Sequence, residues 1–112
     1  MAAGPDPDQA LAELIDVSAQ IEGAAILSDE GAVLASIGGV GDGAADLVHA
    51  ADEAARLLGR PPISQCEVGL GDRLVFCVRE GTRTAVALAA ADATAGLVFY
   101  DLRQALRGPE GA

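Results

Sequence analysis

The glycine-rich stretch GVGDGA, residues 39–44, has the spacing of a known phosphate-binding loop. It matches the G-x-G-x-x-A variant of the dinucleotide fingerprint, whose glycines let the backbone approach a pyrophosphate at the start of a helix. It also follows a predicted strand and precedes a predicted helix, and Glu67 lies near the end of the next strand. One hypothesis is therefore a nucleotide or small-molecule site formed by the Gly38 to Gly43 loop.

The surroundings of this loop favour a flexible connection instead. Asp42 would place a carboxylate where a pyrophosphate has to bind. The strands that follow are joined by hairpin-length turns, whereas a doubly wound sheet needs crossover helices between parallel strands. An ordinary P-loop is also excluded, because it requires a lysine and the sequence has none.

Other side chains with reactive or metal-binding chemistry are Cys66, Cys77 and His49. The two cysteines could face each other across a hairpin, where a disulfide would be sterically possible. In a reducing compartment, two small apolar side chains in the sheet are the simpler interpretation. Two thiols and one distant imidazole do not supply the four ligands of a structural zinc site. We expect no metal, no cofactor and no catalytic residues.

The spacing of apolar and turn residues predicts three helices and five strands. Leu14, Val17 and Ile21 lie on one face of the first helix, with Gly23 as its C-terminal cap. Short turns such as Asp29-Glu30-Gly31 favour antiparallel neighbours. The predicted helices are 7–22, 44–58 and 94–107, and the predicted strands are 24–28, 32–37, 63–70, 73–79 and 84–90.

The composition indicates a single acidic domain of 112 residues. Hydrophobic residues make up 51% of the chain and aromatic residues 3%, so a core must be built mainly from aliphatic side chains. A net charge of -10 disfavours binding to nucleic acid or to anionic lipid surfaces. The predicted domain covers 7–107, with disordered segments at 1–6 and 108–112. No segment predicts a membrane span or an export signal, so we expect a cytoplasmic protein.

The order of these elements, together with three sequence segments, resembles a known family. The segments are GAAILSDEGAVLAS, AADEAARLLG and GDRLVFCVREGTRTAVALA. They are similar to the roadblock family of dynein light chains, and in particular to its bacterial branch of small-GTPase regulators. The resemblance implies a profilin-like α/β sandwich with the order α-β-β-α-β-β-β-α. Its single antiparallel five-stranded sheet would carry the first and last helices on one face and the middle helix on the other.

The resemblance also implies a function without catalysis. Roadblock proteins form dimers in which the third strands pair edge to edge and the middle helices pack together. They act as non-enzymatic adaptors or regulators of small Ras-like GTPases, or as dynein light chains. For this chain the resemblance implies a homodimer that activates a GTPase or serves as its scaffold in bacterial signalling or cell polarity. A light-chain-like assembly subunit without a GTPase and the nucleotide-binding hypothesis remain as alternatives.

The residues themselves also favour a homodimer, formed through helix 44–58 and strand 63–70. Alanines along the helix would let two helices approach closely. The strand lacks the lysine and internal proline that often protect a sheet edge, so it could pair with its own copy across a twofold axis. The predicted interface residues are Leu47, Val48, Ala51, Ala54, Ala55, Leu58, Gln65 and Glu67. The predicted partner-docking residues are Asp46, Asp52, Glu53 and Arg56.

Overall fold

The structure, a computed structural model, describes residues 4–108. Within them, three helices and five strands follow one another in the predicted order. The helices are α1 (Pro7–Val17), α2 (Gly41–Leu57) and α3 (Ala95–Arg107), and the strands are β1 (Ile21–Leu27), β2 (Val33–Ile37), β3 (Gln65–Gly69), β4 (Arg73–Glu80) and β5 (Arg83–Ala90). All strands join one antiparallel sheet in the spatial order β2-β1-β5-β4-β3. The predicted fold class is confirmed.

Helices cover both faces of the sheet and bury a separate core on each side. Beneath α1 and α3, Phe76 is fully buried and meets Phe99 edge to face, with ring centroids 5.2 Å apart. Beneath α2, Ala44 and Val48 pack with Cys77 and other small or aliphatic side chains. The apolar residues on both faces of β4 are therefore explained by its position between the two cores.

The first helix is shorter than the sequence pattern predicts. It ends at Val17, and Ser18 takes an extended conformation with its amide bonded to the carbonyl of Leu14 at 3.0 Å. Ile21, which fits the helical spacing, instead begins β1 and is buried opposite β5. Gly23 lies within β1, so its predicted role as a helix cap is wrong. The reason is non-local, since burial of Ile21 in the sheet outweighs the continuation of an isolated helical pattern.

Helix α2 begins earlier than predicted, at Gly41, after Val40 as N-cap residue. Two glycines of the candidate phosphate loop, Gly41 and Gly43, are therefore helical. A side chain at Gly41 would meet Ser36 of β2, with its Cβ only 3.1 Å from the hydroxyl oxygen. Close packing of the helix on β2 thus explains this glycine without a ligand.

The predicted disordered segments lie mostly outside the described residues, which exclude 1–3 and 109–112. At the described boundary, Asp6 caps α1 by accepting a hydrogen bond from the amide of Asp8 at 3.1 Å. Among residues 4–108, no helix combines the length and the hydropathy that a membrane crossing requires.

Candidate protein-interaction surface

Strand β3 is an open edge of the sheet. It pairs with β4 on one side, and no strand among residues 4–108 lies on the other. The amide of Leu70 donates to the carbonyl of Arg73 at 2.8 Å, so the even-numbered residues of this segment bond to β4. The alternate residues, including Gln65 and Glu67, have their backbone N–H and C=O groups directed away from β4, toward the open side of the strand. This edge can accept another strand.

The side chains of Gln65 and Glu67 project toward the face of the sheet that α3 covers. The Gln65 side-chain oxygen accepts a hydrogen bond from Arg103 of α3. Glu67 lies opposite Phe76, which belongs to the core beneath α3. The predicted interface residues of the strand and of α2 are therefore on opposite faces, and only the backbone of the edge could join them into one contact.

One flank of α2 is apolar and carries four of the predicted interface residues. Leu47, Ala51, Ala54 and Leu58 are spaced by four, three and four residues, which aligns them along one side of the helix. Leu47 and Ala51 are half-buried, Ala54 is exposed, and Leu58 at the C-terminal cap is 77% exposed. The solvent exposure of this row thus increases toward the C-terminal end of the helix.

Val48 and Ala55, also predicted at the interface, lie on the underside of α2. Their relative exposures are 5% and 9%, and Val48 packs with Leu27 and Val86 in the core of the chain itself. Charged substitutions at these two positions would first destabilise the fold. Substitutions at Ala54 or Leu58 are better probes of association.

An open apolar groove of about 340 Å³ borders the same flank of α2. The sheet contributes Val68 of β3, Val75 of β4 and Leu88 of β5. Leu70, the residue that follows β3, also lines the groove. Leu70 is 54% exposed. Sequence reasoning missed these residues as a group, because they come from separate strands, although their apolar side chains were visible singly.

Asp52, a predicted docking residue, is bound within the chain. Its Oδ1 accepts hydrogen bonds from the Ile63 amide at 3.0 Å and from Arg79 Nη1 at 3.2 Å, and its Oδ2 accepts one from Arg79 Nη2 at 2.9 Å. The Arg79 hydrogen bond lowers the pKa of the Asp52 carboxyl below its ordinary 3.8, despite the opposing effect of burial. These contacts tie α2 to β4 and to the segment leading into β3.

The other predicted docking residues, Asp46, Glu53 and Arg56, are exposed on α2. Arg56 Nε donates to Glu53 Oε1 at 3.0 Å, and this hydrogen bond lowers the pKa of the Glu53 carboxyl. Asp46 and the exposed His49 line an open cavity of about 430 Å³ between α2 and the β1–β2 turn. Together these charged and polar residues form a polar flank of α2, made of Asp46, His49, Glu53 and Arg56. It lies on the side of the helix away from the apolar groove.

Comparison with solved structures identifies the architecture. A Roadblock/LC7 domain from Streptomyces avermitilis superimposes with a TM-score of 0.76 and 22% identity, covering 91% of this chain and 92% of that one. This chain has the roadblock fold. Myxococcus xanthus MglB gives a TM-score of 0.64 and 15% identity over 88% of this chain and 77% of MglB. An MglB in a tetrameric arrangement gives a TM-score of 0.68 and 16% identity over 88% of this chain and 80% of that one.

Sequence comparison alone is less informative for this chain. No family model and no curated protein matches its sequence. The likeness therefore resides in the order and packing of the elements. The resemblance predicted from the sequence is confirmed at that level.

The two cysteines of the chain are direct register partners on β3 and β4. Both are free thiols. Burial raises the pKa of the Cys66 thiol and raises that of Cys77 to about 12. Since the thiolate is the reactive form, neither environment activates a cysteine for nucleophilic chemistry.

We expect Cys77 to react with iodoacetamide only when the chain unfolds. At about pH 8, mass spectrometry should find at most one alkylated thiol, Cys66, in the native protein and two in concentrated urea. Rapid double labelling of the native protein would contradict this prediction. A purified chain lighter by two hydrogens would instead reveal a disulfide.

Metal-ligating side chains do not cluster in the described part of the chain. No group of three or more His, Cys, Asp or Glu residues in 4–108 is placed to hold a metal ion. The geometry of the surface instead combines an open strand edge, an apolar flank of α2 and a polar flank of α2. These features suit protein association.

Proposed function

We propose that this chain is a homodimeric, non-enzymatic adaptor that regulates a small Ras-like GTPase in the cytoplasm of a bacterium. The observation that carries the proposal is the roadblock fold, shared with MglB over 88% of this chain. The sequence resemblance to regulators of small GTPases points to the same partner class. The role is either stimulation of GTP hydrolysis or scaffolding of the GTPase.

The proposed homodimer forms through α2 and β3. The open edge of β3 supplies outward backbone groups at Gln65 and Glu67, and pairing it with a second copy would satisfy them. The apolar row from Leu47 to Leu58 supplies side chains beside that edge. The tetrameric arrangement described for one MglB is consistent with self-association in this fold.

The proposed GTPase-docking residues are those on the polar flank that remain available. Asp46, Glu53 and Arg56 are exposed, whereas Asp52 is engaged by Arg79 and Ile63. We therefore assign Asp52 to the stability of the fold and retain the other three as contact residues. An acidic docking surface would favour a partner with basic side chains.

The test is GTP hydrolysis by the small GTPase encoded nearest to this chain in its genome. Single-turnover hydrolysis and nucleotide-dependent binding are measured with and without the dimer. A regulator that stabilises the phosphoryl-transfer transition state should raise the hydrolysis rate by roughly 10³-fold or more, the lower end of the effect of an arginine supplied to that transition state. The joint change of Asp46 and Glu53 to alanine should weaken binding, with Asp16→Ala on α1 as the matched control.

Each outcome of this assay bears on a different role. Binding without any change in hydrolysis would support the scaffold form of the proposal. A GTPase that binds in neither nucleotide state would contradict the proposal and favour a light-chain-like assembly subunit. Saturable binding of a nucleotide by the roadblock domain itself would support the Gly38 to Gly43 alternative instead.

A further inference from the structure

The apolar groove beside α2 is left uncovered because the helix crosses the sheet obliquely. α2 begins over β2, near Ser36, and reaches the segment that leads into β3, where the Ile63 amide donates a hydrogen bond to Asp52 at 3.0 Å. The opposite end of the strands on this face, with Val68, Leu70 and neighbouring apolar residues, therefore stays open.

The end of α2 carries an exposed apolar side chain that could fill such a groove. Leu58 lies six residues beyond Asp52, which corresponds to about 9 Å along the helix axis. Since Asp52 already lies at β4 and at the segment before β3, the end of the helix is directed toward the open edge that β3 forms. Leu58 belongs to the same helical row as Leu47, so it faces the side of α2 on which the groove lies.

An antiparallel pairing of two β3 edges brings these two features together. A twofold axis through the middle of β3 places the start of one strand beside the end of the other. The projecting end of α2 lies near the start of its own β3, and the groove lies near the end. The end of one helix is thus carried over the groove of the other copy, and the symmetry repeats the contact.

We infer that the groove is the seat for Leu58 of a second copy of this chain. The inference rests on the homodimer of the proposed function and adds which side chain enters which cavity. Val68, Leu70, Val75 and Leu88 of each copy would cover Leu58 of the other copy. Ala51 and Ala54 would let the two helices approach closely along their apolar flanks.

Leu57 provides a matched internal control for this inference. It is 72% exposed, compared with 77% for Leu58, and it is the same residue type one position earlier. One residue of α-helix corresponds to a rotation of about 100°, which directs Leu57 away from the sheet and the groove. If dimerisation depended only on the amount of exposed apolar surface, substitutions at Leu57 and Leu58 would weaken it equally. If Leu58 binds in the groove, only the substitution at Leu58 should weaken it strongly.

The first experiment compares Leu58→Asp with Leu57→Asp by light scattering and analytical ultracentrifugation. Leu58→Asp should weaken dimerisation by roughly 100-fold, because it places a charge in an apolar seat, whereas Leu57→Asp should change it less than about threefold. Circular dichroism melts verify that both variants fold. Equal effects, or a Leu58→Asp dimer as tight as wild type, would overturn the inference.

The second experiment locates the contact directly. Chains carrying Leu58→Cys and chains carrying Leu70→Cys, both in a Cys66→Ala, Cys77→Ala background, are mixed and treated with a short bis-maleimide. The mixed cross-linked product should form, and it should fall at least roughly tenfold when Leu57→Cys replaces Leu58→Cys. A dimer without this product overturns the seat but leaves the proposed dimer standing. A wild-type monomer at tens of micromolar overturns both.

Discussion

Replacing Gly38 with alanine should lower the free energy of unfolding by about 2–4 kcal/mol. Gly38 has a φ of +80°, a conformation that side chains with a Cβ rarely adopt. A Cβ there would lie 2.8 Å from the Cα of Gly23 and 2.9 Å from the carbonyl oxygen of Glu22. Both obstacles are backbone atoms of β1, so the strand or the loop would have to move.

Gly39 offers the matched control for this prediction. It has a similar φ of +73°, but a Cβ there would meet no atom within 4 Å. Gly39→Ala should therefore cost only the conformational penalty, about 1–2 kcal/mol. Urea denaturation of the two variants and the wild type measures the difference. Equal losses at the two positions would show that the approach to β1 is not what requires Gly38.

The comparison also bears on the nucleotide-binding alternative. In a dinucleotide-binding loop, the fingerprint glycines Gly39 and Gly41 would be required for the ligand, and their replacement would mainly reduce ligand binding. In this fold the close approach of Gly38 to Gly23 supplies a structural reason for the glycine. A Gly38→Ala variant with wild-type stability would remove that structural reason.

Replacing Asp52 with alanine should lower the free energy of unfolding by about 1.5–3 kcal/mol. The change removes both carboxylate oxygens that bind Arg79 and leaves the Ile63 amide without this acceptor. The Arg79 and Asp52 side chains are 24% and 30% exposed, so the contact is better shielded than a surface ion pair. The loss should also loosen the segment that leads into the β3 edge.

Asp46→Ala on the same helix is the control for Asp52→Ala. Asp46 is exposed, so its replacement should change the free energy of unfolding by less than about 0.5 kcal/mol. Both residues were predicted to dock a partner, and urea denaturation separates their roles. If Asp46→Ala destabilised the chain as much as Asp52→Ala, the effect would come from the charge of the helix and not from the Arg79 contact.

The pH dependence of the Asp52 contribution follows from the direction of its pKa shift. The folded-state pKa is lowered, so the unfolded chain binds this proton more readily. The contribution should be complete above the ordinary pKa of 3.8 and decline as the pH falls through the lower folded value. The stability difference between wild type and Asp52→Asn should therefore shrink between about pH 5 and pH 2. A constant difference would contradict the assignment.

Local patterns predicted most of the fold of this chain. Hairpin turns and alternating apolar residues placed the strands, and the five observed strands each fall at a predicted position. The first helix was the main error, because Ile21 satisfies a helical spacing and a strand burial pattern equally well. Such an ambiguity is resolved only by the partner strand, and here β5 supplies it.

The candidate surface was predictable only in part. The resemblance to a known family indicated an edge at the third of the five strands, and β3 is an edge. The sequence did not reveal that Gln65 and Glu67 project toward α3, or that Asp52 is held by Arg79. Those facts depend on which helix covers each face of the sheet, and the alternation of polar and apolar residues in β3 does not specify it.

By itself, the sequence determined the class of the domain, its acidic surface, the order of its elements and the resemblance to the roadblock family. These properties follow from composition, turn chemistry and periodicity, each of which acts over a few residues. The tertiary structure decided where α2 crosses the sheet and therefore which apolar residues stay uncovered. The groove joins Val68, Leu70, Val75 and Leu88 to α2, and residues so far apart in the chain become one surface only when the strands pair.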